Sequence, residues 1–423
     1  DGEPTSGLEL KDATSKIRGK AGTEVILTIK KPNTGEVQDY SIIRDVITIK
    51  DIPFYGMVND NVGYLRITNF SVNTANETKD ALISLMQNGA SNVIIDLRDN
   101  PGGLLSSSLD LLDLILPKNL ELVSTKGRAG KSIKNYKTLN NALIPDTINM
   151  AVLINGASAS ASEIVAGVLQ DYDRAIVLGS QSFGKGLVQT VIGINQETAL
   201  KITNSKYYIP SGRSLQKREF IDDELIANSS AVADTLFQTK AGRTVIGGGG
   251  IGPDVIVKDE GSYPLAASIL RSRGYFKFVQ ENNNQYSSID EVLADEELMV
   301  KFKAFIEKND ISGYVDGQED LKLAKEKLSK KEEKNLFINN AFSVIEKQIE
   351  KTQSTMFEDE KEIIQRMVHG EFAFYYNGYE GRYNIYLKDD TVVQKAIEIF
   401  ADESQYLSIL SNTESTEVAS LNN

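Results

Sequence analysis

Apolar and polar positions divide the chain into three differently patterned parts. In residues 1–48, Leu10, Ala13 and Ile17 recur at i, i+3 and i+7, which predicts a helix with one buried stripe. A Gly19 to Gly22 turn comes next, Glu24 to Lys30 reads as a strand, and Pro32-Asn33-Thr34-Gly35 makes a hairpin-like turn before Tyr40 to Ile43. A unit this short seldom folds alone, so it is expected to be the second half of something larger.

From 49 to 262, short apolar strands alternate with helical segments, the pattern of a layered α/β domain. Tyr64 to Ile67 and Val93 to Leu97 are strand-like, Thr78 to Met86 is helical between them, and Leu105 to Leu116 is a helix closed by Pro117. Ala151 to Ile154, Ala161 to Gln170 and Ala175 to Leu178 then form a strand, helix, strand unit, and Gly247 to Gly250 with Gly252-Pro253 punctuate the end of the domain.

Residues 263–423 carry a mostly helical, charge-laced pattern. Ile338, Ala341, Phe342, Ile345 and Ile349 form one apolar stripe, and Val393, Ala396, Ile397 and Phe400 form another. Lys325 to Lys334 reads as a solvated helix face, and the Ser-, Thr- and Asn-rich end from Asn412 as frayed.

Composition narrows the chemistry. The 423 residues include no Cys, no Trp and a single His, so Cys proteases, disulfides and thiolate metal sites are excluded together. Only His369 is available for a Ser-His-Asp triad or a His-based metal site, and a lone His without evident partners is expected to be structural. With 46 Lys and Arg against 59 Asp and Glu, the net charge of −13 argues against nucleic acid as a partner. No apolar run approaches the ~18 residues of a membrane span. The chain opens at Asp1-Gly2-Glu3 without a basic and then apolar leader, so the expectation is a soluble piece whose start is missing.

The sharpest local feature is Asn155 to Ile164, NGASASASEI, which joins a buried strand to a helix. A Ser at such a junction is exposed, and nearby helix N–H groups can stabilise negative charge. Ser160 with Glu163 also matches the S-x-x-E capping box, which by itself accounts for the pair. The segment departs from the G-x-S-x-G elbow, having no Gly at 162. A second feature, Gly179 to Gly186, GSQSFGKG, fits the phosphate-cradling G-x-x-x-x-G-K pattern except at its last position, where Gly186 replaces the Mg²⁺-binding hydroxyl. The adjoining β-branched run Leu187 to Ile192 predicts a strand where a phosphate loop requires a helix, so no nucleotide is expected.

Taken together the two features say more. A Ser nucleophile needs a base, and a Lys can serve if burial keeps its amine neutral near pH 7. Lys185 lies one strand after the Ser160 helix, and in a parallel layout the ends of neighbouring strands share one edge, so the two can meet. Ser-Lys pairs are a variant of triad chemistry.

These residues resemble the carboxyl-terminal processing, or tail-specific, serine proteases. The matching stretches, in family order, are LRITNF at 65–70, DLRDNPGG at 96–103, SASASEI at 158–164, FGKGLVQ at 183–189, YYIPSGRSLQ at 207–216 and GIGPDV at 250–255. The resemblance implies Ser160 as nucleophile, Lys185 as general base and Gln189 as the residue that orients the amine. It also implies an oxyanion hole of backbone N–H groups near Gly102 or Gly103 and at Ala161. The implied fold is an α/β, or α+β, multidomain chain. Residues 1–48 would be the C-terminal half of a PDZ domain, whose edge strand and carboxylate-binding loop would lie upstream of Asp1. Residues 49–262 would be a ClpP/crotonase-like Ser-Lys protease core, and 263–423 a helical domain like the extensions of some envelope members. The implied partner is a polypeptide with an exposed C-terminal tail, without cofactor, metal or nucleotide. Self-association through the helical region and a place in the bacterial periplasm or cell envelope are also implied. A catalytically inactive, protease-like scaffold is the competing expectation. The aromatic cluster Phe372, Phe374, Tyr375, Tyr376, Tyr379, Tyr383 and Tyr386 is expected to serve core packing rather than peptide capture.

Overall fold

The computed structural model describes residues 2–411 except 3, 6, 32–34, 48, 128–131, 196–197, 218, 222–223, 227–234, 258–260, 262 and 330–335. They fall into two compact units, Asp1–Ile49 with Pro264–Tyr376 and Lys50–Tyr263 with Asn377–Asn423.

The chain begins with α1 (Leu10–Ile17) and an antiparallel hairpin of β1 (Glu24–Lys30) and β2 (Val37–Ile43), in register from Glu24 opposite Ile43 to Lys30 opposite Val37. The residues expected to turn it, 32–34, lie outside the described residues. The stripe expected to be buried on α1 is not: Leu10 and Ile17 are exposed, because the helix period creates an apolar face but none of the described residues covers it.

The second unit is built on a sheet. In chain order it contains β3 (Phe54–Met57), β4 (Val62–Arg66), α2 (Thr74–Gln87), β5 (Asn92–Asp96), α3 (Leu105–Ile115), β6 (Glu121–Gly127) and β7 (Ser132–Lys137). Next come β8 (Asn149–Ile154), α4 (Ala161–Asp171), β9 (Ile176–Gly179), β10 (Leu187–Gly193) and β11 (Ala199–Tyr208). Short strands β12 (Glu219–Ile221), β13 (Glu224–Ile226), β14 (Leu236–Gln238), β15 (Thr244–Ile246) and β16 (Val255–Ile256) complete the run. Six strands form one sheet in the order β16-β9-β8-β5-β4-β3, parallel throughout except for β3.

The central strands are apolar on both faces, as a parallel sheet covered on both sides requires. Val93 and Ile95 of β5, Met150, Val152 and Ile154 of β8 and Val177 of β9 face the core shared with α2, α3 and α4. Their alternates Ile94, Ala151, Leu153, Ile176 and Leu178 face the core on the opposite side. Strands β10, β11, β6 and β7 form a second, antiparallel sheet, of which the sequence pattern predicted only β10.

The remainder is helical, as expected: α5 (Pro264–Arg271), α6 (Gly274–Asn282), α7 (Ile289–Leu293), α8 (Leu298–Lys308), α9 (Gln318–Ser329), α10 (Leu336–Asp359), α11 (Lys361–Lys388), α12 (Thr391–Ala401) and α13 (Glu403–Ser411). The two predicted stripes fare differently. On α10 Phe342 is buried but Ala341 and Ile345 are exposed, whereas on α12 Val393, Ala396 and Phe400 are all buried. The α12 stripe covers the second face of the six-stranded sheet, joined there by Tyr406 of α13. Within the aromatic cluster, Phe372 packs edge-on to Phe278 and Tyr286, and Tyr383 stacks on Phe54 at 4.7 Å, while Tyr375 and Tyr379 are exposed. His369 is partly buried on α11, and burial pushes its imidazole down. Residues 330–334 of the charged run and the end from Asn412 lie outside the described residues.

Candidate active site

Three loops leave the carboxyl ends of adjacent parallel strands, the edge where open α/β sheets bind ligands. The turn after β5 carries Asn100 to Gly103, the turn after β8 carries Asn155 to Ser160, and the loop after β9 carries Lys185.

Ser160 opens α4 with φ 56° and ψ −110°, a left-handed conformation that costs a non-glycine residue about 1–3 kcal/mol and lasts only where neighbours over-determine it. The local chemistry supplies those restraints. Asn155 donates its main-chain N–H to Ser158 Oγ (2.9 Å), and its side chain exchanges two hydrogen bonds with Asp99, both 2.9 Å. Ser158 Oγ donates to Leu97 O (2.8 Å), while Ala159 N (3.0 Å) and Ser162 Oγ (2.9 Å) both donate to Asn100 O. The two turns are thus stitched together. Although the segment lacks the glycines of the G-x-S-x-G pattern, these side chains hold it in a sharp strand-to-helix turn with Ser160 partly exposed.

Glu163 does more than the capping box implies. Its carboxylate is fully buried, and its Oε2 accepts the main-chain N–H groups of Ser160 and Lys185, both at 2.8 Å. Its Oε1 accepts Ser182 Oγ (2.6 Å) and Gly184 N (2.7 Å). Burial pushes the carboxyl up, opposed by these four hydrogen bonds. The capping box is therefore half of a larger clamp that ties the serine turn to the lysine loop. The available signal was its place: a charge in the first turn of a mostly apolar helix must satisfy several donors if it is buried.

The lysine loop is latched from its other side by the closing motifs. Gly186 N donates to Gln216 Oε1 (3.0 Å) and Ser182 N to Ile251 O (3.0 Å). Buried Arg213 pairs with Asp171 at 2.9 Å. Because the amides of Gly184, Lys185 and Gly186 are already taken and β10 comes directly after them, the loop cannot cradle a phosphate.

The glycine turn abuts the serine. A Cβ on Gly102 (φ 99°) would lie 2.8 Å from Ser160 Cβ and 2.9 Å from Ala161 N, and one on Gly103 would overlap Phe70 O, so neither position tolerates a side chain. The N–H of Gly102 donates to Asn100 Oδ1 at 2.9 Å. Among the described residues, no hydrogen bond joins Ser160 Oγ to Lys185 Nζ, or Lys185 Nζ to Gln189. Gln189 is partly exposed on β10, next to a β-bulge between Val188 and Gln189. The site thus brings Ser160, Lys185, Gly102, Gly103 and Ala161 to one sheet edge and leaves Gln189 beside it, unbonded to the lysine.

Behind the glycine turn lies a buried ion cluster. Asp96 accepts Tyr64 Oη (2.7 Å) and pairs with Arg66 (2.8 Å) and Arg98 (2.7 Å). Burial pushes this carboxyl up, but the two guanidiniums and the hydrogen bonds overcome it and hold Asp96 well below the usual carboxylate range. Its contribution to stability is therefore complete above the ordinary carboxylate pKa and is lost as the pH falls below it. Asp96→Asn is expected to lower unfolding stability at pH 7 by about 3 kcal/mol, since one partner of a buried pair is removed. Urea unfolding at pH 7 and pH 3 checks this, and the deficit should narrow at pH 3.

Fold and site together place a partly exposed serine, in a strained strand-to-helix turn, at the carboxyl edge of a parallel α/β sheet. Residues 61–226 match the family model described as peptidase family S41. Residues 265–400 match the model "Probable PDZ-protease, C-terminal helical domain". The carboxy-terminal-processing protease of Bartonella bacilliformis is 41% identical over 220 residues, covering 51% of this chain and 50% of that one. The carboxyl-terminal-processing protease of a Picosynechococcus species is 35% identical over 230 residues, covering 53% and 54%. The chain thus spans about half the length of these relatives. Among solved structures, the photosystem II D1 C-terminal processing protease is similar at 23% identity and a TM-score of 0.39, over 62% of each chain. No described helix is long and apolar enough to cross a membrane.

Proposed function

We propose that the chain is a serine endopeptidase of the carboxyl-terminal processing type, cutting polypeptides near their C-termini without ATP. The observation that carries this reading is the shared carboxylate: Ser160 N and Lys185 N both donate to Glu163 Oε2, which anchors nucleophile and base on one sheet edge. In the proposed reaction Ser160 Oγ bonds to the scissile carbonyl carbon while the Lys185 amine takes its proton. Gln189 orients that amine. The C–N bond then breaks as the Lys185 ammonium returns the proton to the leaving amine, and water releases the acyl group by the reverse sequence. The oxyanion falls to the N–H groups of Gly103 and Ala161, since that of Gly102 already serves Asn100. Ser160 and Lys185 must close to hydrogen-bond distance on binding substrate, a tightening common in enzymes whose free form is loosely aligned.

A fluorophosphonate probe is expected to label Ser160, located by peptide mass spectrometry. No label at Ser160, in a chain that binds tail peptides without cutting them, would establish the competing scaffold reading. Cleavage is also expected to rise from mildly acidic to alkaline pH, because only the unprotonated amine can accept the serine proton. A flat profile over that range rules out a lysine base, and ATP with Mg²⁺ should leave the rate unchanged.

The same reading makes residues 1–48 the second half of a PDZ-type domain, supported by α1 and then the β1–β2 hairpin. It also includes self-association through the helical region, where Val344 and Ile345 of α10 are exposed, which light scattering tests. The proposed location is the bacterial periplasm or cell envelope. A chain without thiols is indifferent to an oxidising compartment, and cell fractionation checks the placement.

A further inference from the structure

We propose that Asp390, the residue that opens α12, is a positioning residue for this reaction, acting through Arg98 on the glycine turn beside Ser160. The proposal rests on the peptidase reading. Asp390 does two jobs at once. Its Oδ1 accepts Val392 N and Val393 N, both at 3.0 Å, as the cap of α12. Its two oxygens also accept Arg98 NH1 (3.1 Å) and NH2 (2.7 Å), a bidentate, partly buried ion pair. The other side of the same guanidinium is bound to Asp96, with Nε at 3.1 Å from both carboxylate oxygens and NH2 at 2.7 Å from Oδ2. Arg98 is therefore clamped between the end of β5 and the start of α12.

The clamp matters because the residue after Arg98 is strained. Asp99 adopts φ 57°, a left-handed conformation for a non-glycine residue, and its side chain is held by Asn155 and by Arg66 at 3.2 Å. Such a residue keeps that conformation only while its neighbours enforce it. Next comes Asn100, whose carbonyl accepts Ala159 N and Ser162 Oγ and whose side chain accepts Gly102 N. If Asp390 is lost, Arg98 leans wholly on Asp96, which already serves Arg66 and Tyr64. The strained 98–99 step is then free to relax, and the turn beside Ser160 shifts with it.

The two jobs of Asp390 can be separated. Asp390→Asn keeps a good helix cap but removes the charge, whereas Asp390→Glu keeps the charge and caps less well. Asp390→Asn is expected to lower kcat on an unstructured tail substrate roughly ten- to a hundredfold, with KM within about twofold, the penalty of a slightly misplaced site. Its melting temperature should stay close to that of the parent chain. Asp390→Glu should retain most of kcat despite a lower melting temperature. Hydrogen exchange gives a readout that does not depend on cleavage: the bonded amides of Asn100, Gly102 and Leu104 should exchange faster in Asp390→Asn. Unchanged exchange and unchanged kcat in Asp390→Asn overturn the proposal. So does a kcat loss that tracks melting temperature in both variants, which would mark a cap and nothing more. Faster exchange in the variant of a parent chain that cuts no substrate keeps the coupling of Asp390 to the glycine turn but overturns the peptidase reading, and with it the role in that reaction.

Discussion

Ser160→Ala is expected to lower kcat for cleavage of an unstructured polypeptide tail by about a millionfold, with KM little changed. The physical basis is that the proposed nucleophile has no substitute: the turn holds one partly exposed hydroxyl beside the glycine amides, while Ser158 and Ser162 are buried and donate to Leu97 O and Asn100 O. Lys185→Ala should cost a similar factor, and the double variant should be no worse than either single one, because nucleophile and base act as a unit. The residual rate would come from the oxyanion donors and from binding alone. Product formation monitored by mass spectrometry gives the rates. Near-full cleavage by either single variant would falsify the assignment of both residues.

Glu163→Ala is expected to be the most damaging change among residues that never touch the substrate. It strands four donors: Ser160 N, Lys185 N, Gly184 N and Ser182 Oγ. An unsatisfied buried donor costs about 1–3 kcal/mol, and relaxation of the loop recovers part of that, so a loss of about 4 kcal/mol in unfolding free energy is expected. Activity should fall below detection even at temperatures where the variant stays folded, because the carboxylate that holds Ser160 N and Lys185 N together is gone. Glu163→Gln separates shape from charge. Whichever way the amide lies, its NH₂ faces at least one backbone N–H that had an acceptor, so the near-isosteric variant should also lose most activity. Equilibrium unfolding together with cleavage rates on the same samples checks both. A Glu163→Gln variant with parental activity would show that the clamp is dispensable.

The core strands and helices were legible because their periods are unambiguous. Val93 to Leu97, apolar except for Asp96, and Ala151 to Ile154 are short runs without alternation, as a sheet covered on both faces accommodates, and both lie within a residue or two of β5 and β8. The second sheet was mostly illegible. Strands such as β11, AlaLeuLysIleThrAsnSerLysTyrTyr, are largely exposed over their first six residues, so burial imposes little pattern there. Leu10, Ile17 and Ile345 show the opposite failure: a helical stripe was present, but a stripe states only that a face exists, not that anything covers it.

By itself, the sequence determined which chemistry was open. Without Cys, thiol chemistry was closed, and with one His a Ser-His pair had a single candidate partner; the resemblance carried by the SASASE and FGKG segments then supplied Ser160 and Lys185 as the expected nucleophile and base. It also determined that their loops come after neighbouring strands. Only the tertiary structure decided how the site is held. The left-handed turn at Ser160, the double use of Glu163 and the ion pair between Arg98 and Asp390 depend on groups far apart along the chain. Local periodicity cannot encode such partnerships. They arise because buried donors and charges must find partners, and which partners lie within reach is settled only when the sheet brings its strand ends together.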